Sequence, residues 1–130
     1  MKKFFKALTD EQSETLRRLS VQRRYNKDET IYSVGMGGSS AFFIETGKVE
    51  VSVTNMSGSR TLLSLMGPGE ILGDIAMLDG GPRSADATAA TETSGRVLTR
   101  TVFLERLEKD TALAMAIIEL LCGKLRTLTD

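Results

Sequence analysis

From about Thr30 to Arg100 the chain is broken into short apolar runs by glycine and small polar residues, leaving no room for a helix of ordinary length. "KVEVSVT", residues 48–54, sets Val49, Val51 and Val53 on one face and Glu50 and Ser52 on the other. That period of two is the mark of a half-buried strand. "SAFFIE" precedes it across Thr46-Gly47, and "RTLLSLM" comes after Ser57-Gly58. Turn signals therefore recur roughly every ten residues, and "GRVLTRT" supplies a final strand. Short strands at this spacing predict an antiparallel sandwich or β-roll.

Helical patterns flank this region. Thr9 is followed three residues later by Gln12, a pairing in which each side chain can satisfy a backbone N–H at a helix start. Leu8, Leu16 and Leu19 then fall on one face, with Phe4 and Phe5 before them. After Arg100 the helical period returns in "TVFLERLEKD", and Asp110 can cap a longer helix through "TALAMAIIELLCGKLRTLTD". Ala114, Ile117, Leu121, Leu125 and Leu128 form one apolar stripe, widened by Leu113 and Leu120. It can cover the β-roll, or part of it can pair with the same helix of a second subunit to make a homodimer. The expected architecture is mostly β with flanking α, a jelly-roll-like antiparallel β-roll. A single domain is expected over 1–130: a helix at about 9–20, the roll at about 28–100 and C-terminal helices at about 101–129.

Composition narrows the chemistry. With 130 residues the chain suits one domain with its own core. Lys plus Arg and Asp plus Glu each number 17, so there is no global basic field and direct nucleic-acid contact is not expected. There is no histidine and a single cysteine, Cys122, which removes an internal disulfide, the commonest general base and the usual metal ligands. Neither a metal nor an enzyme is expected. "MKKFFKAL" is interrupted by Lys6, no small-residue cleavage site comes after it, and no apolar run approaches the about 18 residues of a membrane span. A cytoplasmic protein without membrane contact is expected. Met56, Met66, Met77 and Met115 are expected to fill the core, Cys122 to be buried, and "GMGGSS" to form a tight turn.

One stretch stands apart. In "GEILGDIAML", residues 69–78, an apolar strand end meets Gly73, and the residues from Asp74 onward suit one helical turn. The unpaired N–H groups at such a start suit an anion, and glycine allows close approach to the main chain. Asp79-Gly80-Gly81-Pro82 forces a turn, and Arg83 emerges nine positions after Asp74. The planar guanidinium fork matches a phosphate with two charge-assisted hydrogen bonds and stays charged. Ser84 and Ala85 are small, and an ionised Asp74 can accept from sugar hydroxyls. The set describes a site for a sugar phosphate or nucleotide; a solvated turn is the alternative that spacing leaves open.

"LGDIAMLDGGPRSADAT" resembles the phosphate-binding cassette of the cyclic nucleotide-binding domains, with the same nine-residue step from acid to arginine. "DETIYSVGMGGSSAFFIETGKVEVSV" is similar to that family's glycine-bounded first strands. The resemblance implies a ligand-binding set of Gly73, Asp74, Ile75, Ala76, Arg83, Ser84 and Ala85, with Arg83 on the exocyclic oxygens of a cyclic phosphate. Asp74 stands where the family usually has a glutamate on the ribose 2′-hydroxyl and is one methylene shorter. Leu72 replaces a phenylalanine, and Asp28 a common glycine. The implied ligand is cyclic AMP or cyclic GMP, between which Ser84 does not choose. Leu125, Leu128 and Thr129 lie in the region that closes over the base in the family. The implied role is a non-catalytic sensor in signal transduction, acting through its C-terminal helices, as in a transcription regulator whose DNA-binding domain would come after Asp130. The contrasting expectation is a ligand-independent dimerisation or interaction module whose pocket has degenerated at Asp74.

Overall fold

The computed structural model describes residues 8–129, and for Ile75, Lys124 and Thr129 the backbone alone. Phe4 and Phe5 lie outside the described residues. Helix α1 (Asp10–Leu19) begins as the Thr9–Gln12 pairing predicts: the Gln12 N–H donates to Thr9 Oγ1 at 3.1 Å, and the Thr9 N–H to Gln12 Oε1 at 3.0 Å. Eight strands come next in chain order: β1 (Val21–Tyr25), β2 (Thr30–Tyr32), β3 (Ser40–Thr46), β4 (Val49–Thr54), β5 (Arg60–Met66), β6 (Ile71–Leu72), β7 (Asp86–Ala89) and β8 (Thr93–Thr99). A short helix α2 (Asp74–Asp79) interrupts them, and α3 (Arg100–Lys109) and α4 (Thr111–Thr129) close the described chain.

The strands form two antiparallel four-stranded sheets, ordered β1-β8-β3-β6 and β2-β7-β4-β5. The predicted β-roll is thus present, with helices at both ends of the chain. Strand β3 holds the two halves of the core together. Its "AFFI" run is buried throughout because its two faces serve different layers. Ala41 and Phe43 join Leu16, Leu98, Phe103, Leu113 and Ile117 beneath the helices, whereas Phe42 and Ile44 join Tyr25, Val49, Leu72 and Ala87 between the sheets. Tyr25 meets Phe42 edge to face at 5.4 Å. Gly95 on β8 is required there, since a Cβ would strike the Phe43 carbonyl and the Phe42 ring.

Several expectations need correction. The sheet region begins at Val21, ahead of the expected start near residue 28, because β1 is an exposed edge strand with no alternation to read. Ser52, expected beside Glu50 on the outer face, is buried where the register shifts between Val51 and Ser52. Arg60 covers it, donating from Nε to Ser52 Oγ at 2.9 Å and pairing with Glu50 at 2.8 Å. Asp110 does cap α4, its Oδ1 accepting from the Leu113 N–H at 3.0 Å. Only the first half of the α4 stripe covers the roll. Leu113, Ala116 and Ile117 are buried, while Leu125 and Leu128 are 62% and 82% exposed. Cys122 is exposed, not buried, because the roll ends before that turn of the helix. Met77 fills the core as expected and Met66 is half-buried, but Met56 sits exposed in a turn and Met115 exposed on α4. Among the described residues, no helix is long and apolar enough to cross a membrane.

Candidate ligand-binding site

The buried pair Ile71 and Leu72 ends β6 against β3, and Gly73 then turns the chain into α2. Its φ of +76° is left-handed, and a Cβ there would collide with the Arg83 guanidinium. Both facts require glycine. Helix α2 stops at Gly80, also left-handed at φ +73°, whose N–H donates to the Ala76 carbonyl at 2.8 Å. The Gly81 N–H donates to Asp79 Oδ1 at 2.7 Å, completing the turn that delivers Pro82 and Arg83.

The loop over residues 35–38 fastens this segment. Met36 accepts from the Arg83 N–H at 2.8 Å, Arg83 accepts from the Gly35 N–H at 2.9 Å, and Gly81 accepts from the Gly38 N–H at 2.9 Å. Gly38 must be glycine, because a side chain would run into Ala76 and the Gly81 carbonyl. "GMGGSS" is thus a turn, as expected, and also the strap that fixes the arginine's backbone.

Six predicted positions, Gly73, Asp74, Ala76, Arg83, Ser84 and Ala85, line one cavity of about 370 Å³. The side chain of Ile75 lies outside the described residues. Arg83 is 7% exposed. Its Nη2 donates to the Ser40 carbonyl at 2.7 Å and its Nη1 to the Gly73 carbonyl at 3.3 Å. Its Nε is buried without a hydrogen-bond partner. Among the described residues no carboxylate forms an ion pair with it, and two carbonyl dipoles and an aromatic face lie against it. A buried cation held this way suits an anion arriving from the cavity. Asp74 sits half-buried in the same cavity wall, giving it one acidic and one basic end. Ser84 is exposed and Ala85 buried.

Tyr32 is the residue that sequence reasoning missed. It lines the cavity, and the Arg83 guanidinium lies over its ring, 4.4 Å from Cζ to the ring centroid. Burial pushes its phenol pKa up; the charge of Arg83 opposes that shift and the charge of Asp74 adds to it. No local motif marks Tyr32, which is brought to the site by pairing opposite Ala87 across β2 and β7. Val51 and Met66 supply an apolar wall from β4 and β5 that was likewise not anticipated. Leu125 and Leu128, expected near a base, are not among the described residues lining this cavity in the single chain, and the side chain of Thr129 lies outside the described residues.

The sequence profile described as "Cyclic nucleotide-binding domain" matches residues 22–110. The cyclic AMP receptor protein of Thermus thermophilus is 32% identical over 105 residues, covering 81% of this chain and 49% of that protein. The cAMP-dependent protein kinase regulatory subunit of Mycosarcoma maydis is 32% identical over 84 residues, 65% of this chain and 16% of that protein. This chain therefore spans about half or less of these curated relatives. The crystal structure of the N-terminal domain of a transcriptional regulator from Streptomyces coelicolor superposes with a TM-score of 0.90 at 30% identity, covering 98% of this chain and 89% of that one. With profile, relatives, fold and cassette in agreement, the chain belongs to the cyclic nucleotide-binding domain family.

Proposed function

We propose that this chain is a non-catalytic, cytoplasmic sensor that binds cyclic AMP, or a closely related cyclic nucleotide, in the cavity at Arg83. The observation that carries this reading is the arginine itself, buried at the cavity wall with an unpartnered Nε and no carboxylate ion pair among the described residues. An ionic guanidinium is costly to bury, and a bound phosphate offsets that cost with charge-assisted hydrogen bonds. Asp74 would take the sugar hydroxyls, and the apolar wall of Val51 and Met66 would face the base. Cyclic AMP is preferred over cyclic GMP because the relatives' names specify it.

The signal would leave through the helices. Ser39 accepts from the Arg100 N–H at 2.7 Å, and Arg100 Nη2 reaches the Leu78 carbonyl at 3.5 Å, so the first residue of α3 touches both β3's approach and the end of α2. A shift of α2 on ligand binding would therefore move α3 and, packed on it, α4. We further propose that α4 pairs two subunits and that the whole protein is a transcriptional regulator whose DNA contacts are made outside this chain. The share of the Thermus thermophilus relative that this chain leaves unmatched supports that reading.

Isothermal titration calorimetry with cyclic AMP, cyclic GMP and 5′-AMP tests the proposal. Micromolar or tighter binding of cyclic AMP, with the open phosphate failing to bind, is the expected result. Arg83→Ala should weaken it by about 2–5 kcal/mol, the cost of removing one partner of a buried charge pair. No heat with any nucleotide on a folded, nucleotide-free sample would reject the sensor reading.

A further inference from the structure

Arg83 and Tyr32 stand between two cavities. Both residues line the ligand cavity, and both line a second one of about 260 Å³, together with Arg23, Ser39 and Ser40. An arginine with a long, flexible stem and room on two sides has two places to put its charge. The backbone of Arg83 is fixed by Gly35 and Met36, just beyond Tyr32 in the chain, so arginine and ring belong to one stitched unit. Within that unit the guanidinium lies over the ring, 4.4 Å from Cζ to the centroid, while Nη1 and Nη2 each donate to one backbone carbonyl. A cation over an aromatic face is attracted by the ring quadrupole, most strongly where water is excluded.

We propose that Tyr32 is a positioning residue for Arg83: its ring is the platform that holds the guanidinium toward the ligand cavity, with N–H groups of the fork left for the ligand's phosphate. The inference rests on Arg83 being the phosphate-binding residue. What matters in Tyr32 is the aromatic face, so phenylalanine should serve and an aliphatic side chain should not. Leucine or isoleucine can fill much of the volume but has no quadrupole and would let the side chain lean into the second cavity.

Cyclic AMP affinity is measured by calorimetry for Tyr32→Phe, Tyr32→Leu and Tyr32→Ile, each in the native chain and with Arg83→Lys. The β-branched isoleucine suits a strand and keeps the test valid if the leucine variant does not fold. Tyr32→Phe should bind within about twofold of the native protein, and the aliphatic variants about tenfold more weakly, a size between that of an exposed and that of a desolvated cation–π pair. With Arg83→Lys, whose compact ammonium makes no planar stack, the aliphatic penalty should shrink to under about twofold. Native affinity in the aliphatic variants, equal losses in Phe and Leu, or an undiminished penalty beside Arg83→Lys would each overturn the proposal. Native affinity in Arg83→Lys alone would instead overturn the reading of the site on which it rests.

Discussion

Gly73 and Arg83 share one space: the Gly73 carbonyl accepts from Arg83 Nη1 at 3.3 Å, and the room a Gly73 side chain would need is taken by that same guanidinium. Ten residues apart in sequence, they specify each other. Gly73→Ala should therefore fail twice. Its left-handed φ of +76° costs a non-glycine residue about 1–2 kcal/mol, visible as a lower urea midpoint. Its methyl group should also push the guanidinium out of place and weaken cyclic AMP binding beyond what the lost stability explains. A variant that melts early but binds normally would show that Arg83 has slack in its position.

Asp74 tests the other end of the cavity. It is one methylene shorter than the glutamate usual in the family, in a site where the strap at residues 35–38 holds the turn that follows α2. Asp74→Glu should tighten cyclic AMP binding by about 1 kcal/mol, the net value of a direct hydrogen bond over a bridged one. Asp74→Asn should weaken it. Calorimetry with 2′-deoxy cyclic AMP separates the causes, because the gain from glutamate should vanish when the 2′-hydroxyl is absent. A gain that persists there would place the carboxylate elsewhere on the ligand.

What could be read from sequence was local. The Thr9–Gln12 cap, the Asp110 cap and the glycine turns that bound α2 each depend on neighbours within a few positions, and the structure has each of these local features where the sequence puts it. What could not be read depends on distant partners. Val21–Tyr25 becomes a strand because β8 pairs with it, Val21 opposite Val97, although "VQRRY" shows no buried face. Tyr32 reaches Arg83, 51 positions away in the chain, through the β2–β7 register and the hydrogen bonds of Gly35 and Met36 to Arg83. Cys122 has apolar neighbours in sequence, yet burial is decided by where the roll ends beneath α4.

Stability should respond to alkali and stay flat through neutrality. The chain has no histidine, the side chain whose ordinary pKa lies near about 6.5. Tyr25 and Tyr32 are both held above their ordinary value, chiefly by burial. A raised folded pKa means that the native state favours the neutral phenol. That contribution is full below the unfolded value of about 10 and is lost as pH rises through the higher folded values. Urea midpoints should therefore hold constant from about pH 6 to 9 and fall above about 10. Tyr25→Phe and Tyr32→Phe should each make the alkaline fall shallower. A steep change near neutrality would point to a titrating group other than these phenols.

Helix α4 has one face buried against the roll and one exposed. Leu113, Ala116 and Ile117 are buried against the roll, whereas Met115, Ile118 and Leu125 are each more than half exposed, with Cys122 exposed among them. The spacing from 115 to 118, 122 and 125 alternates three and four, the repeat with which two helices pack knobs into holes. Sedimentation equilibrium should show a dimer in the native protein, and Ile118→Glu or Met115→Glu should yield a monomer without loss of fold, since neither residue belongs to the buried core. Arg83→Ala should leave the dimer intact, separating assembly from ligand recognition. A native protein that stays monomeric with saturating cyclic AMP, or glutamate variants that stay dimeric, would remove α4 as the seam and leave its exposed face to a different partner.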